Sequence, residues 1–356
     1  MKEEELRLCQ IQEWYPLFKP YSIPTIFHPL PDDFLRYILG ESAAAGDTPP
    51  PFLLPISSSG HDPLPRTSPS SLDPVSILDS EPSSFLNESY SDSDSDSENH
   101  APSFPALESA VNKSISSLGG AVFPKLNWSS PKDAAWIATD GSLRCTSFAE
   151  IALLLHSSDR AVHDLCHAVS SCSDHLSSSS SSPTFSFFLA LRKFYPALRP
   201  EMEFRCFVRR RHLLGISQRE VTAFYPSLVD RQQELRRTVE DFFDEVVAPR
   251  FGLEDYTFDV YVTGTGKIKI LDFNPWGAFT LPLLFTWEEL ETEGFAEEEE
   301  EVVFRLVDSQ CGVRPGLKTA VPYDYLDTGE GSGWDEFLRK ASDELRMQMK
   351  DSETGN

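Results

Sequence analysis

Asp272 and Asn274 stand two residues apart in KIKILDFNP, a run that reads as a β-strand, so both side chains leave the same face. Upstream, YTFDVYV carries Asp259, and the TGTG between the two runs marks a hairpin turn. A two-residue turn at Gly264-Thr265 sets Asp259 opposite Ile270 and diagonal to Asp272, on that shared face. A four-residue loop keeps this outcome, whereas a three-residue loop throws Asp259 to the other side. Three hard oxygen donors suit a divalent cation that keeps waters and is completed by phosphate oxygens, which describes Mg2+ carried on a nucleotide. A D-x-N ahead of Pro275 also suits a plain turn former. The apolar setting of IKILDF argues for the cation, because a buried carboxylate without a partner is expensive.

Cations supply the complementary half. Lys125 ends a strand in AVFPKLNW, where a single ammonium can reach phosphate as a point charge. In EFRCFV the alternation places Glu203, Arg205 and Phe207 on one face and Phe204, Cys206 and Val208 on the other. Gln218 and Arg219 leave the end of the returning strand LLGIS, and both arginines can donate bidentate contacts to phosphate. Other phosphate and catalytic signatures are missing: there is no GxxxxGK[ST], no GxGxxG, no HRD to make DFN a kinase motif, and no GxSxG.

The elements that must hold these residues can be read around them. Ile11 to Leu39 is dense in aromatics and packs, with PDDFLRYIL a short helix that has Asp32 or Asp33 near its N-cap. DAAWIA is a helical turn, and Ser147 with Glu150 is a capping box for a helix over 148–156. FSFFLALRKF is a buried strand, 203–219 is a hairpin, and 231–247 is a helix with Leu235, Val239, Phe242, Phe243 and Val246 on one stripe. FTWEELE is helical, the acidic run before VVFRLV is a helix start or loop, and 334–349 is amphipathic. Segment 41–118, rich in Pro, Ser and Asp, lacks the apolar surface to offset its ordering entropy and is expected to be disordered, as is the serine loop 171–182. The run SDSDSDSE (91–98) suits an acid-directed kinase or a solvated spacer.

With 31 Lys+Arg against 56 Asp+Glu, the net charge of −25 excludes a general phosphate-neutralising surface for nucleic acid. No run approaches the eighteen or so apolar residues of a membrane span. The six cysteines, at 9, 145, 166, 172, 206 and 311, form no CxxC pair and read as free thiols, so a reducing, cytoplasmic setting and a monomer are expected.

FPKLNWSSPKDAAWI (123–137), LRKFYP (191–196), EFRCFV, GISQR (215–219), FDVY (258–261), LDFNPWG (271–277) and LLFTWEEL (283–290) together resemble the cell division cycle protein 123 family. The likeness covers roughly 11–40 and 120–340. It implies an α+β, ATP-grasp-like fold whose two subdomains close over ATP with Mg2+. It further implies a non-enzymatic assembly chaperone for eukaryotic translation initiation factor 2 that binds its gamma subunit; an ATP-grasp ligase working through an acyl phosphate is the alternative. Carried over by motif, Lys125 contacts the phosphates under a loop that includes Asn127, Trp128 and Ser130, while Arg192, Lys193 and Phe194 meet the adenine. Glu203, Arg205, Gln218 and Arg219 line the cleft, and Asp259, Asp272 and Asn274 hold Mg2+. The implied order is 1–40, the insertion 41–118, an N-terminal subdomain 119–195, a C-terminal subdomain 196–325 and a tail 326–356.

Overall fold

A computed structural model describes residues 1–40, 103–175, 185–277, 280–292, 302–309 and 312. Two helices open the chain, α1 (Glu3–Leu8) and α2 (Ile11–Phe18). The second buries Ile11, Trp14, Tyr15 and Phe18, which is helical spacing on one stripe. Strand β1 (Thr25–Pro29) and helix α3 (Asp32–Ile38) follow, with Pro31 at the N-cap and both aspartates in the first turn. Then come α4 (Pro105–Ser117), β2 (Val122–Lys125), a 3-10 turn (Lys132–Ile137), α5 (Phe148–His156), α6 (Asp159–Cys166) and β3 (Phe188–Lys193). Strands β4 (Glu203–Arg209) and β5 (His212–Gln218) make the first hairpin, joined through Arg210 and Arg211, both at positive φ. After α7 (Pro226–Val229) and α8 (Gln232–Phe242), which widens into a π-turn (Phe243–Val247), lie β6 (Tyr256–Val262), β7 (Ile268–Pro275), α9 (Trp287–Glu291) and β8 (Val303–Arg305).

The strands form two sheets, ordered β1-β3-β2 and β7-β6-β4-β5-β8. All pairs are antiparallel except β5 with β8. One face of the small sheet packs Val122, Leu189 and Leu191 against α3, α4 and α5. The larger sheet packs Phe204, Cys206, Ile216, Phe258 and Val260 with Leu235 and Val239 of α8. Helices α1 and α2 are shared: they touch β7, α2 also touches β3, and Phe273 meets Phe18, Trp14 and Phe251 at 5.2, 5.4 and 4.1 Å between ring centres.

Several expectations hold, including the Ser147 cap, which accepts from Glu150 N–H, and the helix it opens. Two need correction and one needs an addition. Disorder does not reach residue 118, because Pro105–Ser117 is a helix. Val111, Ser114, Ile115 and Leu118 recur with helical spacing and are buried, and Pro105 sits where a helix needs no N–H. The run VVFRLV, assigned no element from the sequence, carries the strand Val303–Arg305, its backbone completing the open edge of β5, while the acidic run before it lies outside the described residues. The third lies in the metal hairpin. Thr263 N–H donates to the Lys267 carbonyl at 2.8 Å, so the loop is the three-residue Gly264-Thr265-Gly266, with Gly266 at a φ of +76°. That length would move Asp259 off the shared face. A β-bulge prevents it: Val260 pairs with Ile270 and Asp259 with Asp272, which leaves Leu271 as the extra residue. The insertion from 41 expected to be disordered, most of the serine loop and the amphipathic 334–349 segment lie outside the described residues.

Truncating Phe273 to Ala removes the ring on which both helices and the larger sheet converge. A loss of about 3–5 kcal/mol is expected in urea denaturation. A loss below ~1 kcal/mol would mean that the helices are not anchored there.

Candidate functional site between the sheets

The bulge places Asp259 and Asp272 side by side, and Thr257 beside Asn274 one pair further along. Arg205 pairs with Asp259 across β4, so it shares their face. On the other sheet Lys125 lies opposite Ala190 and Phe123 opposite Arg192, which puts Lys125 and Arg192 on the face turned away from the helices α3–α5. The two polar faces meet. Lys125, 2% exposed, donates to the Trp128 carbonyl and, at 2.9 Å, to Asp272 Oδ2. Asp272 is the more open partner, with its side chain 18% exposed. Arg192 donates to the Leu271 carbonyl at 2.6 Å and stands over the rings of Phe123 and Trp14 at 5.3 and 5.9 Å.

Asp259 is wholly buried and fully engaged. Arg205 grips it with two parallel bonds, Nε to Oδ1 at 2.7 Å and Nη2 to Oδ2 at 2.8 Å. Arg219 adds Nε to Oδ2 at 3.0 Å and also bonds Glu203. Burial alone would raise the Asp259 carboxyl, yet Arg205 and Arg219 hold it well below the usual carboxylate range. Lys132 reaches this group too: the Arg219 charge, with burial, lowers its ammonium to about 8. Burial brings Arg192 down to about 10 against the pull of Asp272. Lys125, Lys132, Arg192, Arg205 and Arg219 thus face Glu203, Asp259, Asp272 and Asp164, five cations to four carboxylates, inside a chain of net charge −25. Three members have buried polar atoms without a partner among the described residues: Asn274 Nδ2, Thr257 Oγ1, and the Nε and Nη2 of Arg192.

The other expected residues sit differently. Asn127 is buried and spends its amide on Gln10 and the Ser186 carbonyl, both at 3.0 Å, and on Phe188 N–H at 2.9 Å, which ties β2 to β3 and the N-terminus. Trp128 packs in the main core and donates to the Leu6 carbonyl at 2.8 Å. Ser130 is half-buried, its carbonyl accepting from Lys132 N–H. Lys193 pairs with Val122, so it shares that residue's side of the sheet and not that of Arg192, with its ammonium 5.4 Å from the Tyr195 ring centre. Phe194 continues β3 by donating to the Ala121 carbonyl. Gln218 pairs with Phe204, on the far face from Arg205, and braces Glu220, Ala223 and Val307.

Two members escaped the sequence reading. Lys132 was inside the quoted FPKLNWSSPK motif, seven residues after Lys125. Asp164, in the middle of α6, gives no local signal. Its carboxylate accepts from the backbone N–H groups of Trp128 and Ser129 at 3.2 and 2.8 Å, fixing the loop whose carbonyl receives Lys125.

Two mixed α+β lobes therefore meet through their polar faces, with cations in excess over carboxylates that lie on neighbouring strands. The chain belongs to the D123 family, whose model matches residues 14–329. A Translation initiation factor eIF2 assembly protein from Xenopus laevis is 37% identical over 98% of this chain and 97% of its own. Cell division cycle protein 123 from Phaeosphaeria nodorum is 40% identical over 74% and 72%. The solved structure of Cdc123 from Schizosaccharomyces pombe covers 87% of this chain and 99% of its own, with a TM-score of 0.64 at 29% identity. Among the described residues no helix is long and apolar enough to cross a membrane.

Burial lifts the Asp164 carboxyl from 3.8 to about 6, against the hydrogen bonds from Ser129 and Trp128 and the Lys125 charge. Between those values the folded chain keeps a proton that the unfolded chain has released. The resulting stability is complete below about pH 4 and lost as pH rises through 6. Asp164→Asn keeps an acceptor oxygen and removes the titration. Relative to wild type, its unfolding free energy should therefore rise by about 2–3 kcal/mol between pH 4 and pH 7 in urea denaturation. A difference independent of pH would contradict this.

Proposed function

We propose that this chain binds ATP with Mg2+ between its two sheets and assists assembly of translation initiation factor eIF2 by binding the gamma subunit. The observation that carries the reading is the cationic excess of the cleft. Guanidinium and ammonium groups outnumber carboxylates there, with Lys125, Arg192 and Arg205 buried, in a protein that is otherwise strongly acidic, so the cleft calls for a multivalent anion. Arg192 offers unpartnered donors toward it, and Lys125, Lys132 and Arg219 stand within Coulombic reach of its carboxylates. The two-lobed α+β arrangement suits the ATP-grasp-like reading of the sequence.

The donor set also fits a hard cation. Asn274 stands on the face of Asp272, where its amide oxygen is the atom a cation would take, and Asp272 is more open than Asp259. These two would hold Mg2+, with Asp259 beside them as the second carboxylate of the set, anchoring Arg205 and Arg219. Bound Mg2+ would neutralise phosphate charge and tie it to β7.

The relatives named as eIF2 assembly proteins support the assembly role, since they match nearly the whole chain. A ligase would need a cation free to stabilise a tetrahedral intermediate. Arg219, the most open of the cleft's arginines, is held by both Asp259 and Glu203, which favours a binding role over ligation. In the binding reading, nucleotide occupancy stabilises the form of the chain that grips its partner.

Asp272→Ala should weaken Mg-ATP binding at least ~10-fold by calorimetry and lower capture of the purified gamma subunit in parallel. Undiminished capture by a folded variant that no longer binds nucleotide would refute the coupling. A stoichiometric release of ADP with a new covalent product, on supplying a carboxylate and an amine, would establish the ligase instead.

A further inference from the structure

We infer that Lys125 is the specificity determinant that makes the cleft admit a divalent cation only together with a nucleotide. This deepens the Mg-ATP reading and rests on it.

Of the carboxylates on the shared face, Asp259 has both oxygens engaged by guanidinium groups and Glu203 is bonded to Arg219. Asp272 is left as the more accessible anionic ligand, its Oδ1 accepting from Phe273 N–H at 3.1 Å and its Oδ2 from the Lys125 ammonium at 2.9 Å. That ammonium is not a mobile surface charge. It is almost wholly buried, and its second acceptor is the Trp128 carbonyl, in a loop whose amides are pinned by Asp164. A bare divalent cation approaching Asp272 and Asn274 therefore meets a site that Lys125 has already neutralised, with Arg192, Arg219 and Lys132 adding repulsion.

A polyphosphate changes this balance. Its oxygens give the ammonium a new acceptor, so Lys125 can leave Asp272 without becoming a buried unpaired charge. The vacated carboxylate oxygen then becomes a ligand. The exchange moves one ammonium from carboxylate to phosphate and forms or breaks no covalent bond. Cation and nucleotide should consequently bind with strong positive coupling, each weakly without the other.

The test uses Mn2+ as the probe, with free Mn2+ read by electron paramagnetic resonance on the full chain, alone and with a non-hydrolysable ATP analogue. For the wild type, the analogue should tighten Mn2+ binding at least ~100-fold. Lys125→Met should tighten bare Mn2+ binding at least ~10-fold while weakening the analogue, and Lys125→Arg should keep bare Mn2+ excluded. Equal Mn2+ affinity of the wild type with and without the analogue would overturn the inference. So would a folded Lys125→Met with unchanged affinity for bare Mn2+. Should Lys125→Met fail to fold, the wild-type ratio and the Lys125→Arg titration decide the matter. A wild type that binds neither analogue nor Mn2+ with analogue would instead overturn the nucleotide reading itself, a result distinct from binding without coupling.

Discussion

An ammonium placed between two β-sheets must be answered by an anion, and in this chain the answer comes from the opposite lobe. Lys125 belongs to the three-stranded sheet and Asp272 to the five-stranded one, yet they stand 2.9 Å apart with the lysine nearly sealed from water. Removing either partner leaves a charge whose desolvation is not offset. Much of the surrounding architecture serves that meeting. Asp164 fixes the loop behind the ammonium, Arg192 clasps the carbonyl of the bulge residue Leu271, and the bulge itself turns Asp259 toward Asp272. Asp259 in turn holds two guanidinium groups where they would otherwise repel each other.

The N-terminal helices give the cleft its rigidity. Helix α2 stacks Phe18 on Phe273 and tilts Trp14 against the same ring, on the back of the strand that carries Asp272, while Tyr15 meets Phe27 of β1 edge-on. Ile11 N–H donates to the Asn127 carbonyl, and Lys269 donates to the Pro20 carbonyl. The short segment 11–20 is thereby bonded to both lobes and ties them together on that side. A preorganised charge arrangement of this kind lowers the ordering cost of binding.

The chemistry of the site was legible in the sequence because residue type and strand alternation carry it: Lys125, Arg205, Arg219, Asp259, Asp272 and Asn274 all reach one cleft. The route to that result was not legible. A three-residue loop and a one-residue bulge cancel each other, and no local propensity of TGTGKIKILDF announces the pair. Helix α4 was hidden because its serines resemble those of the insertion before it, although its apolar stripe was already present. Asp164 and β8 depend on tertiary partners, a loop 35 residues away and the edge of β5, which alternation cannot show. Conversely, Asn127, Trp128 and Gln218 stand in motifs around the site but are spent on bracing it.

The account turns on whether Lys125 and Asp272 are energetically one unit. A double-mutant cycle with Lys125→Met and Asp272→Asn, read by urea denaturation without nucleotide, measures this directly. The structure predicts a coupling energy of about 1–3 kcal/mol, with the double variant more stable than the single losses add up to. Strictly additive losses would show that the two lobes do not share this ion pair and would contradict the cleft described above.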